Sequence, residues 1–193
     1  MASKPETRNT PGHAHQLNFS CYRRLPLLAF DPLRRSFLDS LRAARRKLSF
    51  ELWAYVIMPE LVHQLVNPKL REYRMEDVRK AVKGAFARAA LDWLARNSPG
   101  LHSRLILPNG SRRFWQDGKG YDRNLFSPKA IWDCVDYIHG NPVTRGLCRS
   151  PLDWPWSSAR WFEGMPAKLE MDPCPIMPPS STRGIWRMWM EAE

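Results

Sequence analysis

A chain of 193 residues is long enough for one domain with a proper core, with a tail attached. Its charge is lopsided, 30 Lys and Arg against 19 Asp and Glu, which leaves +11 at pH 7 and suits a polyanionic partner. No apolar run approaches the roughly 18–20 residues of a membrane span, and no signal-peptide core is present. Cys21, Cys134, Cys148 and Cys174 have no ligand spacing. The composition therefore excludes a membrane protein and a disulfide scaffold, and predicts a cytoplasmic protein with reduced, non-catalytic thiols.

In chain order, residues 1–15 are polar and read as a flexible N-terminal arm. Gln16–Tyr22 alternates Leu17, Phe19 and Cys21 with polar neighbours, the pattern of a half-buried strand. Asp31-Pro32 signals a helix start, followed at helical spacing by Leu33, Phe37, Leu38, Leu41, Ala44 and Leu48. Arg34, Arg35, Arg42, Arg45 and Arg46 take the remaining sides and give that helix a basic exterior. Phe50–Met58 is rich in aromatic and β-branched residues and reads as a central strand, and Leu61–Val66 as its continuation or a second strand after Pro59.

A long helix is predicted from about Met75 to Arg96, with Val78, Val82, Ala85/Phe86, Ala89 and Trp93 as its stripe, stopped by Asn97-Ser98-Pro99-Gly100. Short strands are expected near Leu105–Leu107 and at Arg113–Gln116. A third helix, Lys129–Gly140, opens at Ser127-Pro128 and closes at Asn141-Pro142. The order β-α-β-β-α-β-α predicts an α+β fold, a ferredoxin-like antiparallel sheet with helices packed on one face. After Phe162 five prolines mark residues 163–193 as a Pro-rich, extended tail, in which Ile185, Trp186 and Trp189 could form one docking turn. That tail carries three basic and five acidic residues, so residues 1–162 hold +13 and the positive field belongs to the body.

Two strings carry the chemistry: Met58-Pro59-Glu60-Leu61-Val62-His63-Gln64-Leu65-Val66, and Asp136-Tyr137-Ile138-His139-Gly140-Asn141-Pro142-Val143. The second continues through Arg145-Gly146-Leu147 to Asp153-Trp154-Pro155-Trp156-Ser157-Ser158-Ala159, and Phe114-Trp115-Gln116 and Tyr121-Asp122-Arg123 lie between the two. In this order and spacing, from Gln16 to Phe162, the set resembles the REP-associated tyrosine transposases. These are a domesticated branch of the single-strand insertion-sequence transposases within the HUH endonuclease group.

The resemblance implies a strand motif M-P-x-H-V-H-L-L whose two histidines, one residue apart on one face, hold Mg²⁺ or Mn²⁺. Here His63 matches the second histidine, Leu61 stands in the place of the first, and Gln64 replaces a leucine. Leucine has no lone pair for a metal, so binding should be weakened. Glu60 is the nearest carboxylate, but strand alternation turns it to the opposite face. Taken alone, His63 would read as a satisfied structural histidine.

On the third helix, Ile131, Cys134, Val135 and Ile138 cluster toward the core, while Asp133, Tyr137 and Asn141 form a separate stripe of i, i+4 steps. The resemblance makes Tyr137 the nucleophile and Asn141 the third metal ligand. Without it, Tyr137 is a packing residue and Asn141 a helix-end cap. A phenol of ordinary pKa near 10 attacks a phosphodiester well only when a cation neutralises the phosphate, giving a 5′-phosphotyrosine and a free 3′-OH.

Candidate phosphate contacts are Arg23, Arg24, Arg112, Arg113, Lys119 and Arg123, with Tyr22, Trp115 and Tyr121 as candidate stacking platforms for unpaired bases. Trp154, Trp156 and Trp161 are expected to wrap onto the core. The sequence thus predicts a transposase-like protein of single-stranded or hairpin DNA, monomer or homodimer, impaired in cleavage. The alternatives are a non-catalytic DNA-hairpin binder or repressor, and an RNA-binding α+β module.

Overall fold

The computed structural model describes residues 9–118 and 120–176, so Lys119 and the expected docking turn at Ile185, Trp186 and Trp189 lie outside the described residues. Alternating apolar residues form β1, Ala14–Ser20; β2 and β3 are Phe50–Ile57 and Leu61–Pro68. Met58-Pro59-Glu60 is the hairpin turn between them, closed by Met58 N–H donating to the Leu61 carbonyl at 2.8 Å. The fourth strand, β4, is Tyr121–Leu125. The sheet is antiparallel throughout in the order β2-β3-β1-β4.

That order is the ferredoxin-like arrangement predicted, but its last strand is not where the sequence suggested. Leu105–Leu107 and Arg113–Gln116 form no strands, only the isolated bridges Ile106–Arg112 and Cys21–Trp115. The true strand contains Asp122 and Asn124, residue types that single-residue propensity removes from strands. Asp122 is buried there because it is paired: its carboxylate accepts from His15 Nδ1 at 2.9 Å and from Arg79 Nη1, while His15 Nε2 meets the Tyr73 hydroxyl at 2.9 Å.

The crossover helices α1, Asp31–Leu48, and α2, Met75–Asn97, pack on each other over one face of the sheet. Leu33, Phe37, Leu38 and Leu41 of α1 and Val78, Val82 and Phe86 of α2 join Leu17, Phe19, Leu52, Tyr55 and Val62 in one core. Past Phe86 the buried stripe of α2 follows Ala90 and Leu94 rather than Ala89 and Trp93, of which Ala89 is exposed and Trp93 half-buried. A one-turn segment, α3, spans Pro99–Ser103.

The expectation of helices on one face holds for α1 and α2, and α4, Pro128–Thr144, covers the other. Ile131, Cys134, Val135 and Ile138 meet Ala14, Trp53, Val56, Leu61 and Leu65 there, the α4 face that its sequence pattern assigned to the core. The helix does not close at Asn141-Pro142. It runs on to Thr144 with Pro142 inside, so Asn141 is no end cap.

A last short helix, α5, is Ala159–Phe162. The segments around it line the outer edge of β2. Ile57 N–H donates to the Trp156 carbonyl, Ser158 N–H to the Tyr55 carbonyl, and Tyr55 N–H to Ser158 Oγ. Farther along, Leu52 N–H donates to Asp172 Oδ2 at 2.8 Å and Asp172 N–H to the Leu52 carbonyl at 3.2 Å. Leu169 and Met171 are buried between these contacts, and Arg42 and Arg45 of α1 donate to the Lys168 and Glu170 carbonyls. Trp156 is in the core, with Trp154 and Trp161 packed against it.

Candidate active site

Sheet register assembles the site. His63 of β3 lies opposite Asn18 of β1, and Asn18 lies opposite Tyr121 of β4, so the three side chains form one row across the sheet. The row faces α4, whose Tyr137 stands over it. The His63 and Tyr137 rings meet edge to face with centroids 5.3 Å apart, and Tyr137 remains 50% exposed while His63 is only 4% exposed. Leu61, two residues along β3 on the same side, is buried beside them. The sequence-derived pair 63 and 137 therefore meets around one open hollow of about 310 Å³, lined also by Leu61, Arg24, Tyr121 and Arg145.

His63 is held in one tautomer. Its Nδ1–H donates to Asn18 Oδ1 at 2.6 Å, which leaves the Nε2 lone pair, buried and without a partner. Burial lowers its pKa to about 4, and the Arg145 guanidinium pushes in the same direction. His139, a buried residue of α4 hydrogen-bonded to Ser158 Oγ at 2.6 Å, is likewise lowered by burial, to about 3.

A side-chain NMR titration should therefore find both imidazoles neutral at pH 5. Between pH 6.5 and about 4 the unfolded chain takes up a proton that folded His63 refuses, so stability is full above pH 6.5 and falls as the pH is lowered. An imidazole at 63 titrating near 6.5 would show that this side chain is solvated and not packed beneath Tyr137.

The donor set around His63 does not make a divalent-cation site. Leu61 offers no lone pair, and Asn141, buried, turns its amide nitrogen back onto the Tyr137 carbonyl at 3.2 Å. Glu60 accepts from Arg145 Nη1 at 2.6 Å, and Asp117, the carboxylate that lines the hollow, pairs with Arg113. Among the described residues no group of three or more His, Cys, Asp or Glu side chains converges in a metal-binding cluster.

The nominated DNA contacts divide. Arg24 and Tyr121 line the hollow, and Arg123 lines the adjoining one of about 490 Å³ with Tyr121 and Tyr137. Arg23 and Arg113 stack over the Tyr22 ring, and Arg113 also pairs with Asp117. Arg112, bridged to Ile106, pairs with Asp92 at 2.9 Å and lines neither hollow. Lys119 lies outside the described residues. Tyr22 and Trp115 are buried, Trp115 against Phe19, Phe37, Phe86 and Phe114, so neither offers a stacking face.

The sequence reading missed Asn18 and Arg145. The polar member of an alternating strand was the signal for Asn18; Arg145 stood in the quoted motif without a role.

Gly120 fixes the rim. Its φ of +73° is left-handed, and a Cβ there would sit 2.5 Å from the Asn18 carbonyl oxygen. Gly120→Ala should cost about 2 kcal/mol and loosen β4 from β1 next to the His63 row, seen as a lowered urea midpoint together with altered His63 resonances. An unchanged midpoint would show that the backbone yields here at no cost.

A half-exposed phenol on a helix laid over a histidine of a central strand, in an antiparallel ferredoxin-like sheet, defines the architectural class. The chain shares this fold with a REP-associated tyrosine transposase solved bound to a REP hairpin, at 20% sequence identity and a TM-score of 0.59, covering 93% of this chain and 96% of that one. A provisionally named transposase from Deinococcus radiodurans R1 matches 62% of this chain and 83% of its own at 23% identity and a TM-score of 0.43. No protein-family model and no curated protein sequence matches. Among the described residues no helix is long and apolar enough to cross a membrane.

Proposed function

We propose that the chain is a transposase-like member of the REP-associated tyrosine transposases that binds single-stranded or hairpin DNA. In this reading Tyr137 marks the place of the family's strand cleavage, and cleavage is impaired because Leu61 occupies a metal-ligand position. The observation that carries it is the approach of the His63 and Tyr137 rings to 5.3 Å around a hollow open to solvent. The +13 body and the fold shared with a hairpin-bound transposase support the choice of ligand. Arg24, Arg123 and Tyr121 are the contacts this assigns to the strand, the arginines on phosphates and Tyr121 on an unpaired base.

The test is a gel assay with an end-labelled hairpin oligonucleotide carrying a single-stranded flank. The chain should retard the hairpin in preference to RNA of the same sequence, and yield little covalent adduct with Mg²⁺ or Mn²⁺. Equal competition by the RNA would favour an RNA-binding module. A strong metal-dependent adduct at Tyr137 in the unaltered chain would refute the impairment. The second reading, a hairpin binder or repressor without catalysis, is favoured by the commitment of Glu60 to Arg145. It predicts tight binding that neither chelator nor Tyr137→Phe disturbs.

A further inference from the structure

We propose that Arg145 takes the place of a metal ion in this site: its guanidinium, with Arg24, holds one backbone phosphate over His63 and Tyr137 without any divalent cation. The inference rests on the nucleic-acid reading above for its ligand, and on the following geometry for its site.

Arg145 follows the last residue of α4, two turns beyond Tyr137, and both side chains line the same hollow. Glu60, in the β2–β3 turn, accepts from Nη1 and fixes the guanidinium at the mouth. Nη2 and Nε are left without a partner among the described residues, and a guanidinium presents its donors in a planar fork that matches two phosphate oxygens. Arg145 and His63 line one hollow, so the guanidinium charge faces the imidazole at its bottom. A divalent cation seated against Nε2 would meet that same positive charge, whereas a phosphate would be drawn to it.

Arg24 lines the same hollow. Arg23 and Arg24 both adopt left-handed φ, 52° and 53°, a conformation that residues with a Cβ rarely take. The turn is held in that conformation by Arg23 N–H donating to Gln116 Oε1 at 3.1 Å and Tyr22 N–H to the Phe114 carbonyl at 2.8 Å. Strain of this kind persists where the surroundings over-determine it, and here it sets an arginine at the rim. The opposing carboxylate in the hollow, Asp117, is engaged by Arg113. A volume near 310 Å³ accommodates a phosphodiester with part of its sugar.

Binding is measured by fluorescence anisotropy with a labelled hairpin oligonucleotide bearing a single-stranded flank, with EDTA or Mn²⁺, across a salt series. The Arg145 Nε–H resonance is followed separately during titration with inorganic phosphate. Expected are the same Kd in EDTA and in Mn²⁺, a roughly tenfold weaker Kd for Arg145→Ala, and a log–log salt slope shallower by about 1. Arg145→Lys should fall between, and Arg149→Ala, an exposed arginine away from the hollow, should change affinity by less. Phosphate should shift the Arg145 resonance.

Hairpin binding that is lost in EDTA, or that Arg145→Ala leaves unchanged in affinity and slope, overturns the inference while the nucleic-acid reading stands. An Arg145 resonance that responds to phosphate in a chain that ignores the hairpin supports the anion site and refutes that reading. Silence in both assays removes both.

Discussion

Leu61→His should give the chain a measurable affinity for Mn²⁺ and, with it, a covalent adduct between Tyr137 and a single-stranded hairpin. Leu61 and His63 alternate onto one face of β3 and line the same hollow, so an imidazole at 61 would stand beside the free Nε2 of His63. Changes to the outer shell of a metal site cost 10–100-fold in affinity, and adding an inner ligand should gain at least tenfold. The variant also carries a signature that does not depend on activity. Without metal it buries a new polar group beside α4 and should lose about 1–3 kcal/mol. Mn²⁺ at a hundred times its Kd should return about 2.7 kcal/mol, whereas the unaltered chain should show a melting temperature insensitive to the ion.

Tyr137→Phe in the Leu61→His background should keep the Mn²⁺ response and abolish the adduct. Should Leu61→His bind Mn²⁺ no better than the starting chain and form no adduct, residues 61, 63 and 137 are not the remains of a catalytic centre.

Asp122→Ala should be among the most destabilising single substitutions in the protein, at about 3–5 kcal/mol. The carboxylate sits in β4, nearly inaccessible, between the buried His15 ring and the guanidinium of Arg79, and the Tyr73 hydroxyl completes the chain by donating to the Thr10 carbonyl at 2.8 Å. Removing it strands a buried cation with nothing to neutralise it, which costs more than the pair itself contributes. Urea unfolding of Asp122→Ala beside Arg79→Met measures this: the arginine variant leaves Asp122 with His15 and should cost less than the alanine one. Equal and small losses would mean that water reaches the network.

The same network explains which parts of the fold were legible in the sequence. Leu33, Phe37, Leu41 and Ala44 announce α1 because one-sided burial leaves a helical period, and Phe50–Ile57 announces β2 because both its faces are covered. Tyr121–Leu125 carries no such mark. Besides Leu125, its buried residue is a carboxylate, Asp122, whose partners come from positions 15 and 79, and no local window contains them. Extension of α4 through Pro142 escaped for a related reason: the ring removes one hydrogen bond, but burial of Pro142 and Asn141 against the body outweighs that loss.

At the site, strand alternation puts positions 61 and 63 on one face and helical spacing sets Tyr137 off the core stripe, but their meeting was legible only through the family resemblance. Asn18 and Arg145 were not legible, since their roles arise from the pairing of β1 with β3 and from the hairpin turn that brings Glu60 to the end of α4. Tyr22 and Trp115, offered as stacking platforms, are buried, because an aromatic beside basic residues looks alike in sequence whether it binds a base or is roofed by those cations, Arg23 and Arg113 over Tyr22 and Lys83 over Trp115.

The border of the sheet at β2 is occupied along its length by segments from residues 156–158 and 172, which use its outward amides and carbonyls. No strand from a second molecule can zip onto that side, so templated stacking is blocked there by the chain's own later residues. Deleting everything from Lys168 onward would uncover the Leu52 amide together with the apolar strip under Leu169 and Met171. Light scattering should then register growing particles from a protein whose His63–Tyr137 hollow is untouched.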